Sequence, residues 1–136
     1  MMKRIKDDFE EDYHINFYDN TNIKELTKKD FDIKQKKFKN KKFSKINGII
    51  IFYSNFCVSC KKIYNILVNI SEMYDNKFNF YAVNCNNIKE GNDYLIRDFK
   101  ITEYPMFKLI KNNKIKDIDL SKFSIEKLIY LVDTNK

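Results

Sequence analysis

The feature that most constrains the fold is an unbroken run of β-branched and aromatic residues, Ile49 to Tyr53, which is followed by a cysteine pair and a helical pattern. Such a run is typical of a strand buried on both faces, as in a parallel sheet that helices cover on both sides. Beyond the cysteines, apolar residues recur at the three- and four-residue spacing of a helix with one packed face. These residues are Ile63, Ile66, Leu67, Ile70, Met73 and Tyr74. This order predicts an α/β fold with the cysteines at the end of a central parallel strand.

Further strands and helices are predicted on both sides of this central unit. The additional predicted strands cover residues 13–18, 78–83, 106–110 and 114–119. The additional predicted helices cover residues 23–31, residues 88–99 and the segment after Ser124 through Val132. The first of these helices would begin with a capping box formed by Asn22 and Glu25, and the last would have Ser124 as its N-cap.

The predicted order of elements, β-α-β-α-β-α-β-β-α, indicates parallel pairing through right-handed crossovers. Asn112 and Asn113 tolerate positive φ angles and predict a tight turn between the last two strands, which then form an antiparallel hairpin. We therefore expect a central mixed β-sheet flanked by helices on both faces. The chain has 136 residues and no linker-like segment, which favours a single domain over residues 13–136. The alternating basic and acidic blocks of residues 1–12 predict a charged, flexible tail.

Lysine dominates the charge of this sequence. Residues 32–46 contain seven lysines and only Phe38 and Phe43 as regular apolar points, so we expect a solvated, lysine-rich connection there. The net charge is +7, but Arg4 and Arg97 are the only arginines. Because guanidinium groups supply most specific base and phosphate recognition, this balance disfavours a nucleic-acid partner. Nucleic-acid binding through residues 34–45 stays open as a third function, and it would show a steep loss of affinity with salt.

Neither a secretory signal nor a membrane anchor is predicted. The amino-terminal residues carry positive charge without an apolar core segment, and no stretch approaches the ~18 apolar residues of a membrane helix. We therefore expect a cytoplasmic protein without a membrane partner. In a reducing cytosol, a close cysteine pair is more often catalytic or metal-binding than a permanent disulfide.

Cys57 and Cys60 are separated by two residues at the predicted start of a helix. This spacing brings the two Cβ atoms within about 5–6 Å, which allows a disulfide, a redox couple or half of a metal site. A zinc site needs four ligands, and only Cys85 and His14 remain to complete it, so no metal is expected. The open N–H groups and dipole of the helix favour a thiolate at Cys57, whereas Cys60 lies one turn further in. Cys57 is thus the expected nucleophile and Cys60 the expected resolving thiol.

The segment FYSNFCVSCKK and the later YPMF, which contains the only proline, together resemble the thioredoxin superfamily. The similarity is strongest to thioredoxin and to the thioredoxin-like domains of protein disulfide isomerases, and it covers roughly residues 46–134. The resemblance implies a thioredoxin fold and dithiol–disulfide exchange on protein substrates through a redox-active Cys57–Cys60 disulfide. It also implies that the Tyr104–Pro105 bond is cis, and that Phe56, Tyr104 and Pro105 contact an extended substrate segment. No cofactor is implied, but a separate reductase or oxidant must reset the pair.

Several residues depart from the family pattern. Phe56 replaces the usual tryptophan before the first cysteine, and the dipeptide Val58-Ser59 is neither Gly-Pro nor Gly-His. Ile51 stands where the family usually buries an acid that helps to move the proton of the resolving thiol, so the resemblance predicts slow resolution at neutral pH. Glu103 stands where a small residue is common. The pattern favours a reductant or weak isomerase over a strong oxidant, and its alternative is a non-catalytic thioredoxin-like adaptor within a larger assembly.

Cys85 and His14 are expected to be structural. Cys85 follows the predicted strand at residues 78–83, which should end at the same edge of the sheet as the cysteine pair. A free cysteine in such a position is more often a packed small hydrophobic residue than a reactive group.

Overall fold

The computed structural model describes residues 15–43, 45–120 and 123–136. The expected tail at residues 1–12, as well as His14, lies outside these residues. Within these described residues the strands are β1 (Lys24–Leu26), β2 (Phe31–Asp32), β3 (Lys37–Phe38), β4 (Gly48–Tyr53), β5 (Asn79–Asn84), β6 (Met106–Lys111) and β7 (Lys114–Asp117). The α-helices of the same described ranges are α1 (Val58–Met73), α2 (Asp93–Asp98) and α3 (Ile125–Asn135). Two short 3-10 turns, Lys28–Asp30 and Lys41–Phe43, flank the β2–β3 hairpin.

Five strands form one mixed sheet in the order β1-β5-β4-β6-β7. The apolar strand β4 lies at its centre, parallel to β5 and antiparallel to β6, and every residue of β4 is buried. Strand β1 joins β5 in parallel, while β7 pairs antiparallel with β6. The predicted central strand and mixed sheet are therefore confirmed.

Two clusters of buried side chains lie on opposite faces of the sheet because successive side chains of β4 alternate between the faces. Ile49, Ile51 and Tyr53 belong to the cluster that includes the inner faces of α1 and α3. Ile50 and Phe52 belong to the other cluster, which includes α2 and the aromatic residues of the segment between β1 and β4. Helices thus cover both faces, as the order of elements predicts.

The predictions for the chain before β4 were wrong in two places. The described part of the predicted strand at residues 13–18 contains no strand, and residues 17–20 form a turn. The predicted helix at residues 23–31 is instead β1 followed by a 3-10 turn. The carboxylate of Glu25, which we expected to cap a helix, accepts hydrogen bonds from the Tyr53 hydroxyl at 2.6 Å and the Tyr18 backbone N–H at 3.0 Å. Tertiary contacts therefore override the local capping pattern.

The lysine-rich segment forms regular structure, although its composition predicts a solvated connection. Strands β2 and β3 form a two-stranded antiparallel ladder, which pairs Phe31 with Phe38. The rings of Phe31 and Phe38 stack at 5.3 Å between centroids, and those of Phe38 and Phe43 stack at 4.5 Å. All three rings are buried, so the lysines project from a segment that closes one face of the core.

The elements after β4 agree with the sequence to within a few residues. Asn112 and Asn113 both have positive φ angles, 52° and 59°, and connect β6 to β7 as the predicted turn. The hydroxyl of Ser124 accepts a hydrogen bond from the backbone N–H of Lys127 and caps α3. The short helix predicted at residues 88–99 is α2 and covers only Asp93–Asp98. Within the described parts of the chain, no helix has the length and apolarity needed to cross a membrane.

Candidate redox site

Cys57 and Cys60 lie where the chain passes from the central strand β4 into α1. Strand β4 ends at Tyr53, and α1 begins at Val58 with Cys57 as its N-cap residue. Asn86, which follows the neighbouring strand β5, holds the intervening loop. Its side-chain oxygen accepts hydrogen bonds from the Ser54 hydroxyl and the Asn55 backbone N–H, both at 2.7 Å. The ends of two parallel strands thereby position the start of the helix.

The two cysteines form a disulfide, with their Cα atoms 5.2 Å apart. Cys60 is fully buried in the cluster beneath α1, whereas Cys57 is only partly buried. The Cys57 sulfur also accepts a hydrogen bond from the Cys60 backbone N–H at 3.0 Å. Because the N–H groups and the positive end of the helix dipole point toward Cys57, a negative charge there is stabilised when the disulfide opens. The geometry makes the two sulfurs unequal, with Cys57 accessible and Cys60 enclosed.

The Tyr104–Pro105 peptide bond is cis and lies directly before β6. Strand β6 pairs antiparallel with β4, so Pro105 lies beside the loop that carries the cysteines. A cavity of about 180 Å³ separates the two, with Ser59 and Ile63 of α1 on one side and Tyr104 and Pro105 on the other. Two predicted site residues, Tyr104 and Pro105, thus share a cavity with Ser59, which directly precedes Cys60. Phe56 is 54% exposed immediately before Cys57.

The cavity continues as a second hollow of about 330 Å³ on the far side of Pro105. Glu103, Pro105 and Leu120 line both hollows. Together they form a groove that leads from the residues between the cysteines toward the end of β7. An extended peptide segment is the shape that such a groove accepts.

Cys85 lies behind Tyr104 and is not part of the disulfide. Its side chain is buried, and this burial raises the pKa of the Cys85 thiol to about 12. The Tyr104 hydroxyl and the Cys85 sulfur are hydrogen-bonded, which opposes part of that rise in the pKa of Cys85. Cys85 is therefore a protonated, packed thiol at neutral pH.

Ile51 is buried beneath α1 in the same cluster as Cys60, so no carboxyl group occupies this position of β4. The sequence analysis missed an acid on the same face of the sheet, Glu25 of β1. Burial, and to a smaller extent the charge of Asp19, raise the pKa of the Glu25 carboxyl to about 7. The hydrogen bonds from Tyr53 and Tyr18 lower it in part. Only the pairing of β1 with β5 places Glu25 there, and no local sequence signal marks that pairing.

Among the residues that the structure describes, no three His, Cys, Asp or Glu side chains converge as ligands for a metal ion. The site thus offers two sulfurs and a proline-bounded groove, and a buried carboxyl group lies on the same face of the sheet.

The chain forms a mixed five-stranded sheet, and a cysteine pair lies at the N-terminus of the helix that follows the central strand. This arrangement defines an α/β protein with a dithiol site. The thioredoxin family model matches residues 22–133, and the chain belongs to the thioredoxin family. A thioredoxin of Borreliella burgdorferi is 39% identical over 62 residues. This match covers 43% of the chain and 53% of that relative, so it spans about half the relative's length.

Solved structures of thioredoxins share the fold. Thioredoxin f2 of Chlamydomonas reinhardtii is 27% identical with a TM-score of 0.65, and the match covers 82% of this chain and 94% of that one. Thioredoxin f from spinach chloroplast is 21% identical with a TM-score of 0.64, covering 84% and 93%. A thioredoxin f2 solved in complex with ferredoxin:thioredoxin reductase gives a TM-score of 0.63 at 22% identity, covering 83% and 94%.

Proposed function

We propose that this protein is a thiol–disulfide oxidoreductase of the thioredoxin type that acts on protein substrates. The observation that carries this proposal is the Cys57–Cys60 disulfide, in which an accessible sulfur at a helix N-terminus is bonded to a fully buried one. Exchange through a mixed disulfide needs this difference in accessibility. One sulfur must be exposed to the substrate, and the other must react only after the first has formed the mixed disulfide.

In the proposed reaction, the Cys57 thiolate attacks one sulfur of a substrate disulfide. A bond forms between Cys57 and that sulfur, the substrate disulfide breaks, and the second substrate sulfur leaves as a thiolate that takes up a proton. Cys60 then loses its proton and attacks the Cys57 sulfur. The Cys57–Cys60 bond closes, the first substrate sulfur is released, and the substrate is reduced by the two electrons that the pair gives up.

The groove beside Pro105 supports an extended protein segment as the substrate. A proline cannot donate a backbone hydrogen bond, so Pro105 ends the pairing of β6 next to the cysteines. Tyr104 lines the groove, and Phe56 offers an exposed apolar ring beside Cys57. We assign Phe56, Tyr104 and Pro105 to substrate contact on this basis.

A separate protein must reset the cysteine pair after each turnover. The catalytic cycle transfers two electrons and requires neither a metal nor an organic cofactor within the chain. The thioredoxin f2 that was solved with its reductase has the same fold. We propose a reductase or oxidant of this general kind as a partner, together with protein substrates that carry disulfides or thiols.

The decisive experiment compares Cys57→Ser and Cys60→Ser in the reduction of insulin disulfides. Cys57→Ser should abolish turnover because the attacking sulfur is lost, and Cys60→Ser should accumulate a mixed disulfide that mass spectrometry detects. Cys85→Ser is the matched control and should keep turnover within about twofold, since the Cys85 thiol is buried and protonated. Full turnover by Cys60→Ser without any trapped species would contradict the assigned roles.

Ile51 is the observation that favours a second function, a non-catalytic adaptor that keeps the fold for protein binding. The family's acid is absent from this position, and the resolving step would be slow without another proton-holding group. The same insulin assay separates the two functions, because an adaptor would show no turnover with intact cysteines.

A further inference from the structure

Glu25 lies in the same row of the sheet as Ile51. Glu25 of β1 pairs in register with Ala82 of β5, and Ala82 pairs in register with Ile51 of β4. Directly paired side chains of neighbouring strands point to the same face, and Ala82 and Ile51 both lie in the cluster beneath α1. With strands about 4.8 Å apart, the Cα atom of Glu25 is on the order of 10 Å from that of Ile51. A carboxyl group is thus present on the expected face, two strands away from the expected position.

The surroundings of Glu25 favour a carboxyl that changes charge near neutral pH. One oxygen, Oε2, accepts hydrogen bonds from the Tyr53 hydroxyl and the Tyr18 backbone N–H. The other oxygen, Oε1, is buried, and none of the described residues forms a hydrogen bond with it. A buried carboxylate with one unsatisfied oxygen is costly, and protonation lowers that cost because it removes the charge. This arrangement agrees with the pKa of about 7.

The packing connects Glu25 to the helix that carries Cys60. The Tyr18 ring stacks on the ring of Tyr64 at 5.2 Å between centroids. Tyr64 lies four residues after Cys60 and therefore follows it along one side of α1. Tyr18, Tyr53 and Cys60 all belong to one cluster of buried side chains. Charges in such an apolar interior interact more strongly than charges at the same separation in water.

The titratable groups that surround Glu25 come from three elements. Tyr53 faces it from β4, Tyr18 and Asp19 face it from the segment before β1, and Tyr64 lies behind Tyr18 on α1. Burial raises the pKa of both Tyr18 and Tyr53, so their hydroxyls stay neutral at physiological pH. Asp19 is an exposed carboxylate at the edge of this set. Within this set, Glu25 is therefore the buried group that gains or loses charge close to pH 7.

We propose that Glu25 is a positioning residue for disulfide exchange, whose ionised carboxylate holds the resolving thiol of Cys60 in its protonated form. The inference rests on the proposed function. When the mixed disulfide resolves, the Cys60 proton passes to water, the new thiolate attacks Cys57, and the bond from Cys57 to the substrate sulfur breaks. An ionised Glu25 disfavours this second negative charge, and a protonated Glu25 does not. Above pH 7, an ionised Glu25 thus makes the mixed disulfide longer-lived than it would be without this charge.

The test measures the closing step directly in the full chain. Reduced protein is mixed in a stopped-flow instrument with one equivalent of 5,5′-dithiobis(2-nitrobenzoate), and the second, concentration-independent release of the aromatic thiolate reports closure by Cys60. The closing rate of the wild type is divided by that of Glu25→Gln at each pH from 5.5 to 9. We expect a ratio near one below pH 6, a fall with its midpoint near pH 7, and a ratio of about one tenth toward pH 9.

Two further variants exclude a merely structural role by shifting this midpoint in opposite directions. Asp19→Asn removes a negative charge that raises the pKa of Glu25, so the midpoint should move to lower pH. Tyr53→Phe removes a hydrogen bond that lowers the pKa of Glu25, so the midpoint should move to higher pH. Each is compared with its own Glu25→Gln double variant. Asp19 is exposed, so Asp19→Asn keeps the test valid if Tyr53→Phe folds poorly.

The possible failures are distinguishable. A rate ratio that stays constant with pH, or midpoints that do not move with Asp19→Asn, would overturn the role of Glu25. A wild type that never shows the second release at any pH would instead overturn the proposed function, because Cys60 would not resolve the mixed disulfide.

Discussion

Cys85 is a third thiol near a reactive pair, and burial keeps it from reacting. Only the thiolate is nucleophilic, and burial raises the pKa of Cys85 to about 12. We therefore predict that iodoacetamide at pH 8 alkylates Cys57 in the reduced native protein and leaves Cys85 unmodified until the chain unfolds. Mass spectrometry of peptides from native and denatured samples measures this difference.

The matched control for this labelling is Cys85→Ala. It should keep the labelling of Cys57 and lower the free energy of unfolding by about 1 kcal/mol, as expected for trimming a small buried side chain. Alkylation of Cys85 in the native protein, or a disulfide between Cys85 and either member of the pair, would show that this thiol is accessible.

Single residues with local neighbours could be predicted, whereas those with distant partners could not. The Cys57–Cys60 pair was recognisable from its fixed spacing, and the cis bond before Pro105 was implied by the family resemblance; both are present in the structure. Glu25 was interpreted as part of a helix cap because Asn22 precedes it by three residues. Its actual partner is the hydroxyl of Tyr53, which the chain brings close only when β1 and β4 join one sheet. A sequence pattern cannot report a hydrogen bond that depends on strand order.

The turn between β6 and β7 joins these two strands and also forms a hydrogen bond with the β2–β3 hairpin. Asn112 and Asn113 share the left-handed backbone region, but the Asn113 side-chain oxygen also accepts a hydrogen bond from the Phe38 N–H of β3 at 3.1 Å. Asn112→Gly should leave stability within a few tenths of a kcal/mol because glycine adopts the same φ. Asn113→Gly should cost about 1 kcal/mol because the Phe38 N–H loses its partner. Urea unfolding of both variants tests this difference, and equal midpoints would contradict it.

Predictions of whole elements succeeded where the apolar pattern was long. The five-residue apolar run of β4 is short and rich in β-branched residues, which favours a strand, and the spacing of α1 extends over four turns. Both elements formed as predicted. The elements before β4 are shorter than any periodic signal, since β1 has three residues and β2 and β3 have two each. Such short strands are stabilised by neighbouring strands and aromatic side chains. The local sequence does not show these tertiary contacts, so it cannot predict the strands.

At the scale of the molecule, the lysine-rich segment closes the second face of the core. Phe38 is 1% exposed and stacks against Phe31 and Phe43. Phe38→Ala should lower the free energy of unfolding by about 3–5 kcal/mol, a large part of the stability of a typical domain. Lys39→Ala, at the adjacent exposed position, should change it by less than about 0.5 kcal/mol. Thermal and urea unfolding measure both variants, and a small effect of Phe38→Ala would mean that this segment is not part of the cooperative fold.

The position of β1 at the edge of the sheet implies an order of assembly. Strand β1 pairs only with β5 in the five-stranded sheet, and Lys24 meets Tyr81 there, far along the chain. Closing so long a loop loses chain entropy that three paired residues alone do not recover. We therefore predict that β5 pairs with β4 and α1 docks first, which creates the surface that β1 joins. In this order Glu25 enters the interior with the late strand, so the carboxyl group that accepts the Tyr53 hydrogen bond is added after the scaffold that positions the cysteines.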